Sequence, residues 1–305
     1  MKISLCICTF NRCGELRKTL HSLNEISSDF IEGDEIIIVD NNSIDQTVSV
    51  INEFIDKLPI KYFFEATQGL SAARNKGLVE FNGDFIVFID DDITVENNFI
   101  AKYRKAMQMT PNNFFFGGRI HVDWGQEPPW WMKSANLPML NGLIGHFDLG
   151  AVDKVIEKND PLPFGANFAL GRELIDKVGL FNQSLGVTGE QIGRGEETEY
   201  FYRAQDLGFK GYYLAGVKVR HRFQRQRISI PYLYCYGIQK GVAAVNLDGA
   251  KVRNPFRRIA YQCCGGFYQL VKFRIDRFYQ CVINIGMLRG ISLGVASIDN
   301  NVDQN

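Results

Sequence analysis

Three consecutive aspartates, Asp90-Asp91-Asp92, close the apolar run that begins at Phe85. Like charges so placed repel unless a cation, solvent or hydrogen-bond donors meet them. A divalent ion is the natural partner: hard oxygen ligands suit Mg²⁺ or Mn²⁺, which keep waters and bind phosphate oxygens together with one or two carboxylates. A ligand carrying a diphosphate is therefore implied. For the triplet alone, the competing reading is a solvated acidic turn or a cap for a helix over 99–109. Asp40 closes a second apolar run. An acceptor at the tip of a buried strand can read a nucleobase N–H or a sugar hydroxyl, and Thr9 closes a third run beside it. Asp45, five residues beyond Asp40, reads as a turn or cap residue.

These residues need elements to hold them, and the first half of the chain alternates short apolar runs with amphipathic stretches, the pattern of a parallel sheet with crossover helices. Strands are expected at Ile3–Thr9, Glu35–Asp40, Ile60–Phe64 and Phe85–Asp90. Leu16, Leu20, Leu23 and Ile26 recur at helical spacing. Further helices are expected over 45–57 and over 72–78, the latter with Ser71 as N-cap. Ligands of open α/β sheets sit beyond the carboxyl ends of the strands, so Thr9, Asp40 and Asp90-Asp91-Asp92 should meet in one crevice. Beyond Pro111 the alternation fades into strands and long loops, with Pro128-Pro129-Trp130-Trp131 among them. A helix is expected over 193–207, with Glu196, Glu197 and Glu199 complementing its positive end. A strand over 211–220 follows, and the chain reads as helical beyond Tyr232.

The 305 residues are 46% hydrophobic, enough for a full-sized core, and 34 basic residues balance 34 acidic ones, so no global field draws the chain to nucleic acid. The seven cysteines fit neither paired zinc knuckles nor an even disulfide framework, and reduced thiols in a cytosol suit them best. The apolar start lacks a small-residue cleavage site and reads as a strand. No run reaches the ~18 apolar residues of a membrane span. Between Lys251 and Ser297, eight basic residues face one acidic residue, interleaved with Phe267, Leu270, Val271, Phe278, Val282 and Ile285. That is a cationic amphipathic surface suited to an anionic membrane; helices closing the domain are the alternative.

Four segments in order resemble glycosyltransferase family 2: Cys8-Thr9-Phe10-Asn11-Arg12, the turn from Val39 to Asp45, Gly69-Leu70-Ser71-Ala72-Ala73-Arg74-Asn75-Lys76-Gly77, and Phe88-Ile89-Asp90-Asp91-Asp92. Gly165-Ala166-Asn167-Phe168-Ala169, Gly195-Glu196-Glu197-Thr198-Glu199 and Val219-Arg220-His221 resemble that family's acceptor half. The resemblance covers roughly residues 1–245. It implies a GT-A type α/β domain with a mostly parallel central sheet flanked by helices. The donor half would be 1–110, the acceptor half 111–245, and 246–305 a helical extension.

By the same resemblance the donor is a nucleoside-diphosphate sugar, with UDP favoured. Thr9 and Asp40 would hold its base, with Asn11, Arg12, Asp90 and Asp91 in the donor site. Arg74 would approach the nucleotide, unless it is an Arg on the helix surface paired with a carboxylate. Asp90 and Asp92 would form the Asp-x-Asp metal motif for Mn²⁺ or Mg²⁺, joined by His221. The family's catalytic base is the second acid of a Glu-Asp pair, here Glu197 after Glu196, so a longer side chain stands in that place. Such a base takes the proton of the attacking hydroxyl opposite the departing diphosphate, giving inversion. An ordinary Glu is ionised at neutral pH. Trp130, Trp131 and Asn167 would contact the acceptor, a glycan or a lipid-linked sugar.

Gln224-Arg225-Gln226-Arg227-Ile228 lacks the Trp of processive synthases, which favours transfer of a single sugar, as in surface or extracellular polysaccharide synthesis. The enzyme would be cytoplasmic, or peripheral at the cytoplasmic face of the inner membrane through its C-terminal helices. A nucleotidyltransferase would need a basic Gly-rich loop after the first strand, and a dinucleotide-dependent oxidoreductase a Gly-x-Gly-x-x-Gly there. Neither is present. A non-catalytic nucleotide-sugar or glycan-binding protein would not need the Glu196-Glu197 pair.

Overall fold

Strand β1 (Ile3–Thr9) and strand β2 (Glu35–Asp40) are apolar on both faces, and both are buried along almost their whole length. That is how the sequence writes a strand covered by helices on both sides. The computed structural model describes residues 1–110, 113–129, 138–157, 160–186, 195–248, 255–272 and 274–302. Its contacts divide the chain into two units, one of 1–123, 144–189 and 196–223, the other of 124–143, 190–195 and 224–305.

In the first unit, β3 (Ile60–Phe64), β2, β1 and β4 (Phe85–Asp90) run parallel. The sheet then turns mixed. β8 (Asn167–Gly171) lies antiparallel between β4 and β6 (Phe114–Asp123), β6 runs parallel with β9 (Lys210–Arg222), and β5 (Ile93–Val95) and β7 (Lys154–Val155) pair antiparallel with β9. The result is an α/β sheet in the order β3-β2-β1-β4-β8-β6-β9-β5. The edge strand β3 carries exposed Lys61, Tyr62 and Phe64, so both of its faces meet solvent.

Helix α1 (Cys13–Glu25) buries Leu16, Leu20 and Leu23 as their spacing predicts, together with Thr19 and Ser22. α2 (Thr47–Asn52) is shorter than the expected 45–57: Asp45 accepts from the Thr47 N–H and hydroxyl ahead of it, and beyond Asn52 the chain continues in turns with Glu53, Phe54 and Lys57 N–H donating three residues back. α3 (Leu70–Glu80) begins after Gly69, whose φ of 145° few other residues adopt. Ser71 is not its cap: it lies inside the helix and donates to the Leu185 carbonyl at 2.7 Å. α3 packs directly on the sheet, since a Cβ at Gly77 would stand 2.6 Å from Cys6 Sγ. α4 (Phe99–Met109) starts at Asn98, in left-handed conformation and without a side-chain cap, so the aspartate triplet does not cap it.

The sheet separates two cores. One holds Leu16, Leu20, Val50, Phe99 and Tyr103; the other holds Cys6, Phe88, Phe168, Phe181, Tyr200 and Phe201, under α3, α6 (Arg172–Val178) and α7 (Glu196–Asp206). The short helix α5 is Pro138–Ile144, and its residues 138–143 belong to the second unit.

The second unit is helical: α8 (Ile230–Asp248), α9 (Pro255–Val271) and α10 (Ile275–Val302). Leu143, Leu233, Tyr236, Val282 and Ile283 form its core. α8 and α10 meet backbone to backbone, because a Cβ at Gly237, Gly241, Gly286 or Gly290 would collide with main-chain atoms of the facing helix. Residue 245, the expected domain boundary, lies inside α8. Among the described residues, no helix is long and apolar enough to cross a membrane.

Candidate active site

The carboxyl ends of β1, β2 and β4 lie side by side, in register Thr9 with Asp40 and Cys8 with Asp90. In-register residues of parallel strands point to the same face, so this edge presents Thr9 and Asp40 on one side of the sheet and Cys8 and Asp90 on the other. Thr9 Oγ1 donates to Asp91 Oδ2 at 2.7 Å. Asp40 accepts from the Ser43 N–H at 2.9 Å and from the Tyr62 hydroxyl at 3.2 Å. The loops beyond are stitched together: Ile44 N–H donates to Asn11 Oδ1, Asn11 N–H to Ser43 Oγ, and Cys13 N–H to Asp45 Oδ2.

Arg12 forks across the aspartates, with Nη1 2.7 Å from Asp91 Oδ1 and Nη2 2.6 Å from Asp92 Oδ2. After Asp92 the chain enters β5, which pairs Ile93 with His221 of β9. That pairing sets His221 Nε2 3.3 Å from Asp92 Oδ1. Ligand atoms of Asp90, Asp92 and His221 all fall within 4.8 Å of one another. Among the described residues, His221 Nδ1 is buried with no hydrogen-bond partner, and a Cβ at Gly145, where φ is 68°, would come within 2.7 Å of it. Two carboxylates and an imidazole, offering one oxygen or nitrogen each, make a donor set able to hold a divalent ion.

The electrostatics agree. Burial, with Asp92 alongside, raises the Asp90 carboxyl above the usual range. Burial pushes Asp91 up to about 7, against the pull of Arg12. A divalent cation offsets this cost of holding three aspartates together out of water.

On the face of the sheet that carries Cys8 and Asp90, Glu196 opens α7, buried, with its carboxyl pushed up to about 8 by desolvation and by neighbouring Glu197, against the pull of Arg74. Arg74 Nη1 contacts Glu196 Oε1 at 2.8 Å, and its guanidinium lies 5.5 Å from the Phe168 ring centroid and 5.7 Å from that of Phe181. Gly165 makes the space, since a Cβ there would collide with the guanidinium. Asn75, one residue on, exchanges hydrogen bonds with both the N–H and the carbonyl of Phe181. The segment from Ser71 to Asn75 is thus spent on fastening 181–185 and Glu196. Arg74, expected near the nucleotide, is not on the helix surface either; its side chain is committed to Glu196 in the interior.

Asn167, expected at the acceptor, is fully buried on β8 and uses its amide on the Tyr103 hydroxyl and the Arg119 carbonyl. Glu197 is half-buried beside Glu196. Trp130 and Trp131 lie outside the described residues. Sequence reasoning missed Arg222. Its guanidinium donates to Glu15 Oε2 at 2.6 Å, to the Ile93 carbonyl at 2.7 Å and to the Asp91 carbonyl at 3.2 Å, and also to Thr19 Oγ1 at 2.8 Å. It ties α1 to the aspartate turn. The polar Thr19 within the apolar stripe of α1 was the available signal.

The model of glycosyl transferase family 2 matches residues 4–179, more than half of the chain and the whole aspartate edge. The chain belongs to glycosyl transferase family 2. Among the relatives of this family 2 enzyme is the glucosyl-dolichyl phosphate glucuronosyltransferase of Haloferax volcanii, 22% identical over 253 residues, which are 81% of this chain and 78% of that protein. Several other curated relatives are matched over only about a third of their own length. Two solved structures share the GT-A fold. The mannosyltransferase PcManGT from Pyrobaculum calidifontis, in complex with GDP-Man and Mn²⁺, has a TM-score of 0.57 and 14% identity over 94% of this chain and 86% of that one. GalNAc-T7 with UDP, GalNAc and Mn²⁺ also has a TM-score of 0.57, with 19% identity over 90% of this chain and 55% of that one.

Proposed function

We propose that this glycosyltransferase moves a single sugar from a nucleoside-diphosphate sugar, with UDP favoured, to a hydroxyl of a glycan or lipid-linked acceptor, with inversion. The observation that carries the reading is the convergence of Asp90, Asp92 and His221 within 4.8 Å at the carboxyl edge of the sheet. In this reading those three side chains hold Mn²⁺ or Mg²⁺. The ion would neutralise charge on the departing diphosphate as a Lewis acid, so no protein acid is required.

Thr9, Asn11 and Asp40 line the neighbouring strand ends and take the nucleoside, while Arg12, bonded to Asp91 and Asp92, sets the aspartate turn and adds positive charge to the donor site. Glu197 takes the proton of the attacking hydroxyl. Glu196, locked to Arg74, fixes the first turn of α7 and with it the position of Glu197; Arg74 acts here as a positioning residue rather than a donor contact. Trp130 and Trp131 remain acceptor contacts, with 1–110 as the donor half, 111–245 as the acceptor half and 246–305 as an extension. A lipid-linked acceptor places the enzyme peripherally at the cytoplasmic face of the inner membrane, in surface or extracellular polysaccharide synthesis. The Haloferax relative, named for a dolichyl phosphate substrate, supports that choice.

The test is nucleoside diphosphate release from a panel of nucleotide sugars with Mn²⁺, with and without lipid-extract acceptor. One donor should turn over, and Glu197→Gln should bind it but lose roughly 10²–10⁴-fold in transfer rate, the usual contribution of general-base catalysis. A fully active Glu197→Gln places the base elsewhere. A donor that binds but is never consumed makes the chain a binding protein.

A further inference from the structure

We propose that the outward face of α9 is a docking surface for anionic lipid, on which the helix lies flat in the headgroup region of a bilayer. This rests on the lipid-linked acceptor proposed above and names the surface that meets the membrane.

α9 is built inside out. Beside half-buried Ile259, the side it turns to α10 is polar and small: Gln262 Oε1 accepts from Asn284 Nδ2 at 3.3 Å, and Gly266 is buried against Phe278 and Cys281. The opposite side carries Tyr261, Phe267, Tyr268 and Val271, exposed to 74%, 71%, 57% and 58%. At 3.6 residues per turn these four fall on one stripe, opposite Ile259, Gln262 and Gly266. A helix surrounded by water does the reverse, burying its aromatic stripe and exposing its glutamines. A continuous exposed aromatic patch marks a surface that meets something apolar.

The charges choose the occupant. Residues 255–277 contain five basic residues and a single acidic one, half-buried Asp276. Exposed Arg257 and Arg258 stand at one end of the stripe, and exposed Lys272, Arg274 and Arg277 at the other. Aromatic residues between two cationic ends match a bilayer surface, where rings enter the acyl boundary and cations meet lipid phosphates. A second copy fits poorly, because with both ends cationic neither a parallel nor an antiparallel pairing brings opposite charges together. The helix is also too short to span: its 17 residues reach about 25 Å at ~1.5 Å per residue.

The experiment is flotation of the full chain with phosphatidylcholine vesicles, with and without phosphatidylglycerol, at low and high salt. Binding is expected only with phosphatidylglycerol, and weaker at high salt. Both Arg257→Glu with Arg258→Glu and Phe267→Glu with Tyr268→Glu should reduce it by roughly tenfold or more. All four side chains are exposed, so circular dichroism and metal-dependent nucleoside diphosphate release should be unchanged. Absence of flotation with either vesicle overturns the proposal, as does flotation that neither double variant weakens. So does light scattering in which the aromatic variant turns a dimer into a monomer, which would make the face a contact between copies. Transfer to a detergent-dispersed lipid-linked acceptor is measured separately. Vesicle binding without transfer removes the acceptor reading and leaves the docking face standing; transfer without vesicle binding does the opposite.

Discussion

Arg74 Nη1 sits 2.8 Å from Glu196 Oε1, with the two side chains only 3% and 5% exposed. Removing the carboxyl acceptor of this buried pair leaves the Arg74 guanidinium uncompensated, so Glu196→Leu should cost about 3 kcal/mol of stability. Glu196→Leu with Arg74→Met should recover most of it. Urea denaturation of the two single variants and the double variant measures the coupling; additive losses would mean that the pair holds nothing in place.

The same carboxyl sets a pH dependence. Its folded pKa of about 8 lies above the ordinary Glu value of 4.5, so the native state binds the Glu196 proton more tightly than the unfolded chain does. That contribution is fully present below about pH 4.5 and is lost as pH rises through about 8. Glu196→Gln removes it. The variant should therefore gain stability relative to the parent chain as pH rises from 5 to 9, read as a difference in denaturation midpoint across that range. A pH-independent difference would show that burial does not penalise the ionised form.

Metal binding should follow pH in the opposite sense. Asp90 is raised and Asp91 is pushed up to about 7, so a cation binding among them must displace protons at lower pH. Mn²⁺ affinity, read from the electron paramagnetic resonance signal of the free ion, should strengthen between pH 6 and pH 8. His221→Ala should weaken it by at least the roughly 10–100-fold that loss of an outer-shell partner costs. Unchanged affinity would remove His221 from the site.

Arg222 offers a separate handle on the same turn. It holds the Asp91 and Ile93 carbonyls from the strand that carries His221. Arg222→Lys keeps the charge but not the fork, and one amine cannot reach all these acceptors. It should lower Mn²⁺ affinity by roughly tenfold while Glu15→Ala, which removes only the outermost of its partners, changes it less. Equal effects of the two variants would indicate general loosening of α1.

The first four strands were legible because their apolar runs end in polar residues at the carboxyl edge, and the aspartate triplet was legible because repulsion demands a partner. The pairing of Arg74 with a carboxylate was one of its two readings, but its burial was not legible, because sequence spacing says which face of a helix a side chain occupies but not what covers that face. Its cover comes from Gly165, Phe181 and Glu196, roughly 90 to 120 residues away in sequence. Asn167 misled for the same reason, since a polar residue in a motif looks available until Tyr103 and the Arg119 carbonyl are found to use it. The shortened α2 and the displaced role of Ser71 show local polar groups diverting to turns and loops that no periodicity records.

Gly77 tests how tightly the motif around Arg74 is clamped to the sheet. A Cβ at this position would stand 2.6 Å from Cys6 Sγ, closer than any real contact. Gly77→Ala therefore forces α3 off β1 and should cost roughly 1–3 kcal/mol, the usual range for overpacking, despite the better helix propensity of alanine. Cys6→Ala removes the obstructing sulfur, so the double variant should be more stable than Gly77→Ala alone, with a coupling energy of about 1 kcal/mol or more. Because α3 carries Arg74, Gly77→Ala should also slow sugar transfer, and Cys6→Ala in the same chain should restore it. If stability recovers without activity, the route from α3 through Arg74 and Glu196 to the reacting groups is not the one that matters.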